Sequence, residues 1–329
     1  MVRIGINGLG RIGRAVFRLA QQDPSVEIVA VNNRSDGEVF PHLLNHDSVY
    51  GKAPFHVAYE KKQLVVDGTP LPFYHEDNPA NISWKKHEVD VVIESTGVFE
   101  DGNLARKHIT AGAKRVLITA PAVNVDFDIV YGINHTKYNP KKHYVISNQS
   151  CTTNCATPLV YVLHEEFGIA TSYLLTAHAY TSTQLLLDNK HKDLRRARAA
   201  ALNIVPTTTG AADAVVRILP HLKGRLTGLA VRVPVPVGSM LALVAELETS
   251  VTPAHINRVM KRASETFLRG VLEYSTAPLV SSDVIGNPHS AIFDSQLTRV
   301  QRKTFVEIMS WYDNEWGYAA RCIDVAKML

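Results

Sequence analysis

Val2-Arg3-Ile4-Gly5-Ile6 runs directly into Gly8-Leu9-Gly10-Arg11-Ile12-Gly13, and this junction restricts the fold more than any other stretch of the chain. The first run reads as a buried strand. Ile12, Val16, Phe17 and Leu19 then recur at helical spacing, and Glu27-Ile28-Val29-Ala30-Val31 reads as a second strand. A strand, a glycine loop, a helix and a second strand within about 30 residues is the setting in which G-x-G-x-x-G binds a dinucleotide. The glycines permit a tight turn and let backbone N–H groups approach a pyrophosphate at the helix start. Gly8, Gly10, Arg11, Ile12 and Gly13 are therefore candidate cofactor-binding residues. The competing reading is a tight structural turn, which the β-α-β setting disfavours.

The same fingerprint expects a carboxylate at the tip of the second strand, bound to the adenosine 2′-hydroxyl. Asn32-Asn33-Arg34-Ser35 stands there instead. An arginine and a hydroxyl can bind a 2′-phosphate that a carboxylate would repel. Asn33, Arg34 and Ser35 thus point to NADP or to use of both NAD and NADP. Asp36 could reach back to the ribose, and a solvated Arg34 is the plain alternative. Further strands are predicted at 89–94, 115–119 and 144–146, with a helix over 104–109 ended by Gly112. Ser95-Thr96-Gly97 and Thr119-Ala120-Pro121 close two of these strands and should line the cofactor cleft, because ligands of open parallel sheets sit at the carboxyl ends of strands. Residues 51–72 read as peripheral hairpins around the turn signal Asp67-Gly68.

A chain of 329 residues predicts two domains, since single cores rarely exceed roughly 250–300 residues. The boundaries are placed at 1–149, a Rossmann domain completed by a C-terminal helix over 315–329, and 150–314, a catalytic domain. The fold class is α/β, with the second domain α+β around a mixed, largely antiparallel sheet. A net charge of +4 admits anionic substrates without implying nucleic acid. Three cysteines make no disulfide framework and suggest a reducing cytoplasm. No structural zinc site is expected, because only Cys155 neighbours Cys151. No signal peptide is read at the N-terminus, and no run approaches the ~18–20 apolar residues of a membrane span.

Ser150-Cys151-Thr152-Thr153-Asn154-Cys155 follows the 144–146 strand and precedes a helical run containing Leu159, Val160, Leu163 and Phe167. Ser150 is a natural N-cap, which puts Cys151 in the first turn. There the helix dipole and unpaired N–H groups should lower the thiol pKa. Ser150, Thr152 and Thr153 add donors for an anion. A buried structural cysteine is the alternative. A nucleophilic thiol needs a partner for its proton, and His178, near the end of a predicted strand, is a candidate; sequence spacing leaves its distance from Cys151 open. The basic run Lys190–Arg198 is either a solvated face or an attractor for anions, without the interleaved aromatics of a single-strand platform. Thr207-Thr208-Thr209-Gly210 before a helix is a second anion site or a simple N-cap. Arg232 lies within an apolar strand and must be paired, with a bound phosphate or carboxylate or with an internal acid.

The chain resembles the phosphorylating glyceraldehyde-3-phosphate dehydrogenases over nearly its whole length. The carrying segments are Ile6-Asn7-Gly8, Arg11–Arg14, Ser150–Cys155, His178-Ala179-Tyr180-Thr181, Asp193–Arg196, Thr208–Ala212 and Trp311–Glu315. The resemblance implies that Cys151 is the nucleophile and His178 its base. It implies that Ser150, Thr152, Thr209 and Gly210 bind inorganic phosphate, and that Thr181 and Arg232 bind the substrate's phosphate with Arg196 or Arg198 near it. Asn314 would orient the nicotinamide amide and Thr119 would contact the cofactor. A homotetramer is implied, with the basic run lining a neighbour's cofactor site, as is the triose phosphate step that serves glycolysis and gluconeogenesis.

Four departures from the family pattern stand out. Gln149 replaces the usual alanine before Ser150. Asn33 replaces the ribose aspartate, Asp77 replaces an arginine near the adenine, and Ser182-Thr183 replaces Asn-Asp. Erythrose-4-phosphate dehydrogenase, on the same fold with hydrolytic release, is the nearest alternative. A nucleic-acid-binding protein using the basic loop and a thiol acyltransferase without redox chemistry are the others.

Overall fold

The apolar run at the N-terminus forms a strand, Val2–Asn7 (β1), in a computed structural model that describes residues 1–329. The chain divides into two units, Met1–Ser150 with Ala319–Leu329, and Cys151–Tyr318. In the first unit β1 is followed by a helix, Arg11–Ala20 (α1), and by Val26–Asn32 (β2), Phe73–Tyr74 (β3), Val91–Glu94 (β4), Arg115–Ile118 (β5), Phe127–Asp128 (β6) and Val145–Ser147 (β7). They form one sheet in the order β6-β7-β5-β4-β1-β2-β3, every pair parallel. Such a sheet is covered on both faces, and β1, β4 and β5 bury Ile4, Ile6, Val91, Val92, Ile93, Val116 and Leu117 completely.

Strand order reverses between β1 and β4, the position at which open sheets bind ligands. The glycine loop lies there. Gly8 has φ +99°, and a Cβ on it would stand 2.9 Å from the backbone of Ser95 and Thr96. A Cβ on Gly13 would stand 2.0 Å from the Gly8 carbonyl oxygen. The predicted hairpins form a three-stranded antiparallel sheet over 57–60, 63–66 and 69–71, turning at Asp67-Gly68. The predicted 104–109 helix is two short pieces instead, Gly102–Ala105 and Lys107–Thr110, broken at Arg106.

The second unit opens with a helix, Cys151–Phe167 (α2), buried along most of its length. Ile169–Ala179 (β8), Val205–Thr207 (β9), the helix Ala211–Ile218 (α3), Leu226–Val233 (β10), Ser239–Leu247 (β11), the helix Pro253–Glu265 (α4), Leu272–Ser275 (β12), Ala291–Gln301 (β13) and Phe305–Tyr312 (β14) follow. The sheet order is β9-β10-β8-β11-β14-β13-β12. Two pairs, β8 with β10 and β12 with β13, are parallel and the other four antiparallel. β12 and β13 are not foreseen in sequence, where only α4 is read between residues 247 and 304. Polar Asp294, Ser295, Gln296 and Thr298 interrupt β13, and its register with β14 shifts between Asp294 and Arg299. There Asn257 of α4 donates to the Ser295 carbonyl and accepts from Thr298. The chain ends in a helix, Trp316–Met328 (α5), started by Asp313, which accepts the Glu315 and Trp316 N–H groups at 2.9 and 2.8 Å. No helix is long and apolar enough to cross a membrane.

Because its Cβ has nowhere to go, Gly13→Ala should cost about 1–3 kcal/mol. A lower midpoint of urea denaturation is the expected reading; an unchanged one would show that the loop yields without strain.

Candidate active site

A buried carboxylate holds the nucleotide cradle of the first unit. Glu94, at the end of β4, accepts from Asn7 Nδ2 at 2.5 Å and from Thr96 N–H and Oγ1–H at 2.9 and 2.5 Å. His108 Nε2 lies 3.0 Å from the same carboxylate. Trp84 Nε1–H donates to His108 Nδ1 at 2.9 Å, so Nδ1 is the bare nitrogen and Nε2 carries the proton toward Glu94. Asn7 in turn accepts from Asn32 at 2.7 Å, and Asn32 accepts the Glu76 N–H at 2.8 Å. This chain of bonds fixes the carboxyl ends of β1, β2 and β4 around a cavity of about 550 Å³.

Gly8, Gly10, Asn33 and Arg34 line that cavity with Asn7, Glu76, Asp77 and Ser95–Thr96. A concave site with small residues at a helix start, polar strand ends and no room for side chains at Gly8 or Gly13 fits a dinucleotide pyrophosphate. Asn33 accepts from Leu9 N–H at 3.0 Å and donates to Ser35 Oγ at 2.6 Å, so its side chain braces the loop. Arg34 pairs with Asp77 at 2.7 Å on the rim, where both are largely exposed, 72% and 79%. The Arg11 side chain turns to Asp47 and lies over the Tyr50 ring, leaving its place at the start of α1 as its means of meeting a cofactor. Ile12 is half-buried in the first turn of α1, and Gly13 packs against Gly8. Thr119, after β5, donates through Oγ1 to the Glu94 carbonyl at 3.1 Å. Gln149 adopts φ +56° and is accommodated by burial, its amide donating to Asp128. Asn7, Asn32 and Glu76 are cavity residues not chosen as candidates in sequence; Asn7 stood inside the Ile6-Asn7-Gly8 resemblance and Asn32 inside the strand-tip segment Asn32–Ser35.

In the second unit Cys151 begins α2 and His178 stands near the end of β8. Cys151 Sγ is 3.3 Å from His178 Nε2. β8 pairs in parallel with β10 so that His178 and Arg232 are register partners. The Arg232 Nη1 lies 2.5 Å from His178 Nδ1 and donates to the Ala179 carbonyl at 3.1 Å. Burial and the Arg232 charge push the imidazole pKa down to about 3. Burial also pushes the Cys151 thiol up, which corrects the expectation of a lowered pKa. Arg232, the Thr152 hydroxyl and amide, and the thiol's own amide pull it down without offsetting desolvation. Tyr312, on β14, sits between Thr152 Oγ1 and Thr176 Oγ1 at 3.0 and 2.9 Å, its ring edge-on to His178. Its contact with His178 and the Thr152 hydroxyl was missed in sequence; the segment Trp311–Glu315 was the available signal.

Arg196 donates to Thr207 at 2.8 Å and is close enough to depress the Arg232 pKa. The second unit thus gathers Cys151, Thr152, His178, Arg196 and Arg232. Thr181 bonds Thr183 at 2.9 Å, and Thr209 accepts the Ala211 N–H at 3.2 Å, while Gly210 holds the N-cap position of α3 without a side-chain cap. A Cβ on Gly210, beside it, would meet open space. Ser150 immediately precedes α2. The Asn314 carbonyl is taken by Gly238 N–H and Ser239 Oγ at 3.2 and 3.1 Å, which leaves its NH₂ as the group to offer.

A doubly covered parallel sheet with a glycine cradle, joined to a unit carrying a thiol beside an imidazole, defines an NAD(P)-dependent dehydrogenase. Residues 2–102 match the model of the glyceraldehyde 3-phosphate dehydrogenase NAD binding domain, and residues 150–314 match that of its C-terminal domain. Glyceraldehyde-3-phosphate dehydrogenase 2 of Streptomyces avermitilis is 51% identical over 325 residues, 98% of this chain and 97% of that one. The Geobacillus stearothermophilus enzyme is 51% identical over 99% of this chain and 97% of its own. Glyceraldehyde-3-phosphate dehydrogenase 1 of Bacillus subtilis is 50% identical over the same shares. The chain belongs to the glyceraldehyde-3-phosphate dehydrogenase family.

Replacing Glu94 by alanine should leave buried donors on Asn7, Thr96 and His108 unmatched and cost about 3 kcal/mol or more. Thermal unfolding should fall and the Kd for dinucleotide, read by Trp fluorescence, should rise. Unaltered affinity in a folded variant would separate the network from the cradle.

Proposed function

We propose that this chain oxidises glyceraldehyde 3-phosphate in the presence of inorganic phosphate to 1,3-bisphosphoglycerate. In this reading residues 1–149 with the C-terminal helix bind NAD(P), and 150–314 carry the chemistry. The supporting observation is Cys151 Sγ at 3.3 Å from His178 Nε2, with Arg232 beside both. The Cys151 sulfur attacks the aldehyde carbon, giving a thiohemiacetal. His178 Nε2 takes the hydroxyl proton as that carbon is oxidised to a thioester. The bound nicotinamide supplies the hydride acceptor. Arg232, with Arg196 and Thr181, holds the substrate's phosphate. Ser150, Thr152, Thr209 and Gly210 hold the inorganic phosphate whose oxygen displaces the sulfur, so that Cys151 leaves as thiolate. Asn314 offers its NH₂ to the nicotinamide amide, and Thr119 and the Gly8–Gly13 loop hold the rest of the cofactor.

Thr181 directly after His178-Ala179-Tyr180 favours the triose over the tetrose phosphate. A nucleic-acid role gains no support from the basic run, since Arg196 is bonded to Thr207 and Arg198 to Asp188. Exposed Leu186, Leu187 and Leu194 on the same 181–204 segment are apolar surface suited to a second copy, in keeping with a homotetramer. Three free cysteines suit a reducing cytoplasm. Arg34 at the cavity rim supports use of NADP beside NAD.

Initial rates of nicotinamide reduction should require both triose phosphate and inorganic phosphate, and should exceed those with erythrose 4-phosphate. Cys151→Ser should lower kcat/KM by roughly 10⁴-fold or more. Full activity after iodoacetamide treatment would sink the thiol mechanism. Arg34→Ala should reduce kcat/KM for NADP roughly threefold to tenfold more than for NAD, the exposed site limiting the effect. Equal losses would remove Arg34 from cofactor choice.

A further inference from the structure

The tip of β2 has no free group to meet the adenosine ribose. Asn33 stands where the dinucleotide fingerprint has a carboxylate, and both ends of its amide are spent, on Leu9 N–H at 3.0 Å and on Ser35 Oγ at 2.6 Å. Asp36 does not line the cavity; Asp77 does, and it arrives from a different strand. β2 and β3 run parallel, with Val31 opposite Phe73 and Asn32 opposite Tyr74. Beyond that register Asn33 N–H donates to the Tyr74 carbonyl at 3.1 Å and Asn32 Nδ2 to the Glu76 carbonyl at 3.0 Å. Glu76 N–H returns a bond to Asn32 Oδ1 at 2.8 Å. The stitching brings Arg34 and Asp77 to one rim, where Nε and Oδ1 stand 2.7 Å apart. Neither side chain has another partner.

We propose that Asp77 is the cofactor-selecting residue of this cavity: its carboxylate takes the ribose hydroxyl of NAD, and it gives up Arg34 when the 2′-phosphate of NADP enters. The proposal rests on Arg34 as the 2′-phosphate residue. A 2′-hydroxyl can donate, and a carboxylate is the acceptor that the tip of β2 lacks. A phosphate monoester only accepts and carries a charge of roughly −1.5 to −2 near neutral pH. The same carboxylate therefore repels it and competes with it for the guanidinium. An ion pair whose members are 72% and 79% exposed is weak in water, so Arg34 changes partner at little cost. A guanidinium fork also meets two phosphate oxygens as readily as it meets carboxylate. Glu76 is the other carboxylate lining the cavity, and it pairs with no cation. Selection by Asp77 thus differs from a general negative charge at the rim, because it acts through Arg34 as well as on the ligand.

Calorimetric titration of the full chain with NAD and with NADP, in the absence of substrate, reads the selection apart from the chemistry. Asp77→Asn should lower the Kd for NADP about three- to tenfold, and the gain should shrink in high salt. Asp77→Ala, which also removes the acceptor, should raise the Kd for NAD about threefold. In an Arg34→Ala background Asp77→Asn should improve NADP binding clearly less, since no guanidinium is released. Glu76→Gln should give a smaller NADP gain that is the same with and without Arg34. An unchanged Kd for NADP in Asp77→Asn overturns the proposal, as does an unchanged Kd for NAD in Asp77→Ala. So does an Asp77→Asn gain that is equal in the two backgrounds or matched by Glu76→Gln. Arg34→Ala that weakens NADP binding beside an inert Asp77→Asn overturns only the role of Asp77. Arg34→Ala without effect on NADP removes Arg34 from cofactor choice and the proposal with it.

Discussion

The pairing of β8 with β10 sets the chemistry of the second unit, because it places His178 directly opposite Arg232. A slip of one residue would turn every side chain of one strand to the other face of the sheet. The imidazole would then lose its cation and the thiol both of its neighbours. The register is defended on each side. β9 pairs across Arg232 through Val205, and β11 runs antiparallel to β8 from Ile169 to Ala177. Ser239 of β11 takes the Ala179 N–H and passes a bond to Asn314. The thiol comes from outside the sheet, from the first turn of α2. Its properties follow from that position between a helix terminus, which favours charge, and a dry surrounding, which opposes it.

The first unit solves a different problem with a similar device. A loop that must receive a pyrophosphate has no side chains at Gly8, Gly10 and Gly13, where its backbone has to come close. The rigidity comes from beneath, through Glu94 and the side chains that converge on it. A buried carboxylate is costly unless its oxygens are saturated, and here Asn7, Thr96 and His108 donate to it. Trp84 settles the His108 tautomer by donating its indole N–H to Nδ1.

Much of this was legible in the residues. The glycine loop and the strand that precedes it have local causes, namely backbone freedom and an apolar run, and the helix starting at Cys151 was legible from its apolar spacing. The helix over 104–109 was read as continuous, but it is divided at Arg106. β12 and β13 escaped notice because a strand with a shifted register and polar residues at its centre has no period to detect. The cysteine and histidine were chosen correctly as neighbours, yet no spacing rule could give 3.3 Å between residues 27 positions apart. The direction of the thiol shift was misread, since local sequence reveals a helix terminus but not the depth at which it is buried. Arg34 illustrates the same limit: its charge was visible, whereas its partner Asp77 lies on a different element.

The first unit is discontinuous in sequence, taking in Ala319–Leu329 after the whole of the second. Asn148 hydrogen-bonds Cys322 at 3.4 Å, and Lys327 pairs with Asp23 at 3.0 Å, so the final residues touch the earliest part of that unit. On the ribosome, the half of the molecule made first is therefore the half completed last. The nascent nucleotide-binding sheet must wait, with part of its covering missing, while 168 residues of the intervening unit, Cys151–Tyr318, emerge and fold. Any premature stop in the last turns of α5 would harm the N-terminal half of the protein while leaving the thiol-bearing unit's own strands intact.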